Sequence, residues 1–102
     1  MKENKLKIQD DKKISKLARC LGVLSNERRL RIMLLLLEKE LNVGKIAELL
    51  SMPQSSVSLH LEKLAECSWV DRRRKGKNVY YKIDKNTKSV IKTIILHFNK
   101  IL

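Results

Sequence analysis

Between Asn42 and Glu66, two short runs of helical spacing are separated by a single tight break, and this pairing constrains the fold more than any other feature of the chain. Val43, Ile46, Ala47 and Leu50 recur as one face of a helix, with Asn42 placed to cap its first amides. "SMP" at 51–53 then interrupts the pattern. Pro53 is tolerated in the first turn of a helix, so "PQSSVSLHLEKLAE" opens a second helix whose buried stripe is Val57, Leu61 and Leu64. Two short helices joined by a tight turn make a helix-turn-helix.

At 100° per residue, with Val57 inward, Ser55, Leu59 and Glu62 point away from the core and Ser56, Ser58 and Lys63 lie at the sides. The outward face therefore begins small and polar. Short hydroxyls let a helix backbone approach base edges in a major groove, Gln54 has the amide for bidentate bonding to adenine, and Leu59 can meet a thymine methyl. Glu62 and Glu66 would repel phosphate, so only the first two turns are expected near nucleic acid. Serines near a helix start also serve as caps, and His60, at the flank of the buried stripe, is open to packing or to base contact.

The segment "VDRRRKGKNVYYKI", residues 70–83, follows directly. Val79, Tyr81 and Ile83 alternate with Asn78, Tyr80 and Lys82, the period-two pattern of a strand with one buried face, and "KGK" supplies a glycine for the positive φ of a hairpin turn. A two-stranded β-hairpin with a basic tip is expected. Of the net charge of +12, residues 70–82 contribute six basic side chains against one acidic, whereas residues 20–69 hold six of each. Such a concentrated field attracts a polyanion, nucleic acid above all. Arg72, Arg73, Arg74, Lys75 and Lys77 beside a reading helix can straddle phosphates or reach into the adjacent minor groove.

Around this unit the chain is helical. Ile14, Leu17, Ala18 and Leu21 mark an amphipathic helix over about 11–23, and Leu6 and Ile8 could extend it into an otherwise polar start, residues 1–10. "SNERRLRIMLLLLEKE" follows, with Ser25 or Asn26 as cap and Ile32, Met33, Leu35 and Leu36 apolar on most sides, as a central core helix requires. From about Thr87 to Lys100, Val90, Ile91, Ile94, Ile95 and Phe98 form a broad apolar stripe on a last helix. The expected architecture is mainly α with a small β-hairpin, in the order α-α-α-α-β-β-α, with one domain over residues 11–102.

Other classes are disfavoured. No apolar stretch approaches a membrane span and the Lys-rich start lacks the features of a signal peptide, so a cytoplasmic protein is expected. Cys20 and Cys67 stand far apart without Cys-x-x-Cys spacing; a disulfide framework or zinc ribbon has no support and reduced thiols are expected. The chain has no Gly-rich phosphate loop, no nucleophile beside a base and no supported carboxylate pair, which argues against an enzyme, and no cofactor is expected.

The order of elements, together with "LSNERRLRIMLLLL", "ELNVGKIAELL", "PQSSVSLHL" and "RRRKGKNVYYKI", resembles the ArsR/SmtB family of bacterial winged-helix repressors over about residues 15–100. The resemblance implies a homodimer paired through the first and last helices, a fourth helix that reads a palindromic operator in double-stranded DNA, and the hairpin as the wing. By position, Gln54, Ser55, Ser58 and Leu59 match the family's groove-facing residues and Arg72 to Lys77 its wing, with Leu59 standing where a polar residue is common. With Ser56 and His60 added, these form the expected DNA-binding set.

Many members of that family sense metals. Here the Cys-Val-Cys station of the third helix falls on Asn42, Val43 and Gly44, and the carboxylate and histidine stations of the last helix fall near Lys85, Thr87, Phe98 and Ile101, with His97 one residue out of register. No metal sensing by either familiar site is expected. A dimer interface through Leu17, Leu21, Val90, Ile91, Ile94, Ile95 and Phe98 is expected, since these stripes exceed what one small monomer needs. Two alternatives stand beside this reading: a thiol-responsive repressor using Cys20 or Cys67, and a winged-helix module that binds protein rather than DNA.

Overall fold

A computed structural model of the chain describes residues 10–102. The expected N-terminal extension, and with it any lengthening of the first helix by Leu6 and Ile8, lies outside the described residues except for Asp10. The Asp10 carboxylate caps α1 (Asp11–Leu24), accepting the Lys12 N–H at 2.9 Å. The chain continues through α2 (Glu27–Glu38), β1 (Leu41–Asn42), α3 (Val43–Leu50), α4 (Gln54–Glu66), β2 (Asp71–Lys75), β3 (Asn78–Lys82) and α5 (Lys85–Asn99). This is the winged helix-turn-helix order.

Side-chain acceptors fix most helix starts. Of the two candidates before α2, Asn26 is the cap, its Oδ1 accepting the Arg29 N–H at 3.1 Å. Asn42 does the same for Lys45 N–H at 2.7 Å, and Asp84 for Thr87 N–H at 2.7 Å. The Asp84 cap starts α5 two residues before the apolar stripe suggests, and the amide of Thr87 holds the Asp84 carboxyl below its ordinary pKa. α3 ends on Ser51 in the left-handed region, φ 52°, where the Met52 N–H bonds the Ala47 carbonyl at 3.0 Å. That turn delivers the chain to α4 within two further residues.

The core is built from Ile32, Met33 and Leu36 of α2, Ile46 and Ala47 of α3, and Val57, Leu61 and Leu64 of α4, closed by Val70, Tyr81, Ile83 and Ile91. All three inward positions expected on α4 are fully buried. Burying a side chain of this size is worth about 1.5–3 kcal/mol, so the angle of α4 is set by several such contacts acting together.

The sheet has three strands, antiparallel in the order β1-β3-β2, where the alternation alone indicates two. Leu41 pairs with Tyr81 and Asn42 with Tyr80. Two residues are too few to display a period, and Leu41 is buried because it sits opposite the buried Tyr81. In the hairpin Arg72 lies opposite Tyr81 and Lys75 opposite Asn78, leaving the two-residue loop Gly76-Lys77 with Gly76 at φ 61°. A positive φ at the first loop position is the demand of a type II′ turn, and glycine meets it without a Cβ clash.

Two expectations need correction. Cys20 and Cys67 are joined in a disulfide, with Cα atoms 5.5 Å apart across a sequence separation of 47. The fold brings the residue that ends α4 against α1, and spacing along the chain carries no record of that approach. Nearby, the Trp69 indole N–H donates to the Cys20 carbonyl at 2.8 Å. Ile91, grouped with the dimer-forming residues, instead belongs to the chain's own core at 4% exposure, and Ile95 is half-buried against it. A stripe wider than one interface serves two, and its inner edge is the one turned to the core.

Candidate nucleic-acid interface

α4 begins at Pro53, which offers no side-chain acceptor, so the first-turn amides have no side-chain cap. The residues that follow are those expected to read DNA. Gln54, Ser55 and Leu59 are exposed, Leu59 at 63%, while Ser56, Ser58 and His60 are half-buried along the sides. A bulky apolar group so open to water on a helix whose other face is buried is available to a partner surface.

Gly44 has a role at this face that periodicity does not reveal. A Cβ built there would lie 3.3 Å from Nε2 of Gln54 and 3.6 Å from Oδ1 of Asn42. Glycine at the start of α3 therefore leaves room for the Gln54 amide to lie across it. No turn or positive φ demands this glycine, so the close approach is its physical reason.

His60 is engaged inside the fold. Its Nδ1 accepts the Arg29 Nε–H at 3.1 Å, and Nη1 of the same arginine donates to the Val23 carbonyl at 3.2 Å. One guanidinium thus joins the end of α1, α2 and the flank of α4. Partial burial lowers the imidazole pKa below 6.5, and the positive charges of Arg29 and Arg28 lower it further. His60 is held neutral, with Nδ1 as the acceptor.

The wing divides its charges between two faces. Every residue of β2 is exposed, and the register sets Arg72 and Arg74 opposite Tyr81 and Val79, with Arg73 and Lys75 opposite Tyr80 and Asn78. Arg72 lines a groove of about 700 Å³ between wing and reading helix, together with Val43, Ser58, Glu62, Glu66 and Tyr81. Arg73 is not free for phosphate as the other wing residues are: its Nη2 donates to Oε1 of Glu40 at 2.6 Å, anchoring the hairpin to the segment after α2. Lys75 Nζ stands 6.0 Å from the Tyr80 ring centroid, and Lys77 is at the exposed tip. Arg72, Arg74, Lys75 and Lys77 make no ion pair among the described residues.

Away from this surface, Leu17, Leu21, Val90, Ile94 and Phe98 remain exposed on α1 and α5. Leu30 and Leu34 of α2 join them, lining with Leu21, Ile94 and Phe98 an apolar groove of about 620 Å³. Among the described residues, no group of three or more His, Cys, Asp or Glu side chains is gathered as a metal would require, and no helix is long and apolar enough to cross a membrane.

Comparison with known proteins agrees with this geometry. The family model described as "Bacterial regulatory protein, arsR family" matches residues 26–71, from the α2 cap to the start of the wing. The chain is similar to the transcriptional activator HlyU of Vibrio cholerae, 37% identical over 71 residues that cover 70% of this chain and 66% of that protein. It spans about half to two-thirds of the length of the curated relatives it matches. Among solved structures, reduced HlyU of Vibrio cholerae superposes with a TM-score of 0.71 at 33% identity, covering 82% of this chain and 90% of that one. The homodimeric winged helix-turn-helix DNA-binding domain of Mb0332 from Mycobacterium bovis reaches 0.83 at 29% identity, covering 90% and 89%.

Proposed function

The chain belongs to the ArsR family of bacterial regulatory proteins, and on that footing we propose that it is a sequence-specific, DNA-binding transcriptional regulator acting as a homodimer on a palindromic operator. The observation that carries the reading is the exposed face of Gln54, Ser55 and Leu59 at the uncapped start of α4, flanked by the exposed cations of the wing. Phosphate contacts position such a protein and base contacts specify its site. Gln54, Ser55, Ser58 and Leu59 read base edges. Arg72, Arg74, Lys75 and Lys77 hold the backbone, and Arg73 steadies the wing through Glu40.

Leu17, Leu21, Val90, Ile94 and Phe98 pair two copies about a two-fold axis, which sets the two reading helices roughly 34–36 Å apart, one turn of DNA. Repression follows when the dimer occupies a promoter. An effector would act only by favouring one of two dimer states that differ in DNA affinity. Two polar sides of α4, Ser56 and His60, support the reading helix: Ser56 lies half-buried and His60 is tied to Arg29.

Selection of bound duplexes from a random DNA pool tests the proposal. A palindrome with half-sites one turn apart is the expected product, with affinity falling by about 10³ to 10⁵ between 50 and 200 mM salt if roughly 6–10 phosphates are neutralised. Absence of any enriched sequence would transfer the chain to the protein-binding class of winged helices.

A further inference from the structure

We propose that Arg28, in the first turn of α2, is a second phosphate anchor that grips the DNA backbone on the side of the reading helix turned away from the wing. The inference rests on the DNA-binding reading above and adds a contact that lies in neither the helix-turn-helix nor the wing.

An α-helix with its side chains is about 10–12 Å across and the major groove is about 12 Å wide, so a seated reading helix meets a sugar-phosphate strand at each wall. The wing serves one wall: Arg72 lines a groove with Ser58, Glu62 and Glu66, which marks that flank of α4. The other wall needs a cation of its own. In a helix-turn-helix the first helix commonly crosses the backbone. Here that helix is α3, and it is poorly equipped for the task, because its single cation, Lys45, pairs with Glu48 at 3.6 Å and the next residue, Leu49, is apolar and exposed.

Two coordinates place Arg28 at the unserved wall. Around the α4 axis, His60 follows Ser58 by about 200° and so lies on the flank turned away from the wing. Arg29 binds His60 there, which brings the first turn of α2 against that flank. Burial and the Arg29 charge lead in holding the His60 imidazole below its ordinary pKa, and the Arg28 charge adds to them, so its guanidinium is within electrostatic reach of the same flank. Along the axis, a groove of about 700 Å³ is bounded by Asn26, Glu27, Arg28 and Arg31 on one side and by the stretch from Leu49 to Met52 on the other. That stretch is the turn leading into Gln54, so the groove opens beside the reading end of α4 and not beside its Cys67 end.

Of the arginines in this part of α2, Arg28 is the one left for a ligand. Arg31 pairs with Glu27 at 2.9 Å. Arg29 is spent on His60 and the Val23 carbonyl. Arg28 is exposed and makes no ion pair among the described residues. A planar guanidinium with free N–H groups can hold two oxygens of one phosphate, and an anchor on each wall fixes the reading helix against rolling in the groove.

The test uses the full chain and a duplex enriched in the DNA selection, with fluorescence anisotropy at stepped salt. R28A is expected to bind every duplex about ten-fold more weakly at about 0.1 M salt, with a salt slope lower by about one and an unchanged selected sequence. R28K, which keeps the charge, should restore most of the slope. Neutral methylphosphonates placed one at a time along both strands should weaken the wild type at phosphates on both walls of the major groove. R28A should become insensitive at one of them, across the groove from the phosphate at which R74A becomes insensitive. An R28A slope equal to that of the wild type, or insensitivity on the same wall as R74A, overturns the proposal. So does a melting temperature of R28A lowered by more than about 4 °C, since that assigns Arg28 to the fold. A wild-type chain that binds no duplex refutes the DNA-binding reading itself, whereas wild-type binding matched by R28A removes this anchor alone.

Discussion

The Nε–H of Arg29 points at Nδ1 of His60 over 3.1 Å, tying α2 to the side of the reading helix. The bond exists only while the imidazole is neutral, because protonation would set an N–H against an N–H. His60 has a folded pKa below its ordinary 6.5, so the unfolded chain binds the proton more readily. Its contribution is therefore fully present above pH 6.5 and is lost as pH falls through the lowered value. The melting temperature should decline over this interval in the wild type. In H60Q, which keeps an acceptor and cannot titrate, the decline should be shallower, and thermal melts at stepped pH from about 7.5 to about 5, an interval spanning the ordinary imidazole value, measure the difference.

Wing arginines should separate by face. R74A removes a cation with no ion-pair partner among the described residues and is expected to weaken binding to all sequences alike, lowering the salt slope by about one. R73A removes a residue bound to Glu40, with a smaller expected change in slope and a stability loss of under about 1 kcal/mol, typical of a partly exposed pair. Equal slopes for the two variants would contradict the division of the wing.

Gly44 and Gln54 offer a test of base reading. G44A introduces a methyl 3.3 Å from Nε2 of Gln54, close enough to displace a flexible amide by a few tenths of an ångström without disturbing the backbone. Helix propensity favours alanine by up to about 1 kcal/mol, so the melting temperature should hold or rise. Base preference at the position read by Gln54 should broaden, and repeating the DNA selection with G44A checks this.

The two edges of the α5 stripe predict opposite phenotypes. F98E or I94E places a charge on the exposed edge and is expected to yield a folded monomer in sedimentation equilibrium, with retained helicity and lost operator binding. I91A opens a cavity in the chain's own core and should cost about 2–5 kcal/mol in denaturant unfolding. A folded, stable I91A dimer would refute that division.

Reduction of Cys20–Cys67 should register in stability. Closing a loop of this length restricts the unfolded chain by about 4 kcal/mol in the loop-entropy account, so a loss of about 2–4 kcal/mol on reduction is expected from urea titrations. Domains of this kind commonly have about 5–15 kcal/mol in hand, which leaves the reduced form folded.

Local signals located most of these elements. Caps at Asn26 and Asn42, the stripe of Val57, Leu61 and Leu64, and the alternation around Tyr81 each report a short-range physical demand, and each appears in the structure where that demand predicts. Long-range relationships were invisible for the same reason. The disulfide, the Arg29–His60 bond and the Arg73–Glu40 pair join residues 47, 31 and 33 positions apart, distances at which no periodicity speaks. Trp69, a lone aromatic beside a turn, carries no sequence pattern, although its indole N–H must find an acceptor when half-buried and finds the Cys20 carbonyl. One helix stripe does not say how its width is shared between core and partner, so the burial of Ile91 in the chain's own core is visible only in the fold.

The order β1-β3-β2 leaves β2 as the longer open border of the sheet, since β1 contributes only two residues. Unpaired strand borders invite copies of a protein to zip together, and like charges are a common guard against that. Four consecutive cations, Arg72 to Lys75, line this border, so two molecules approaching edge to edge repel each other. The residues that would grip a phosphate chain thereby also keep neighbouring molecules from joining into fibres while no such chain is bound.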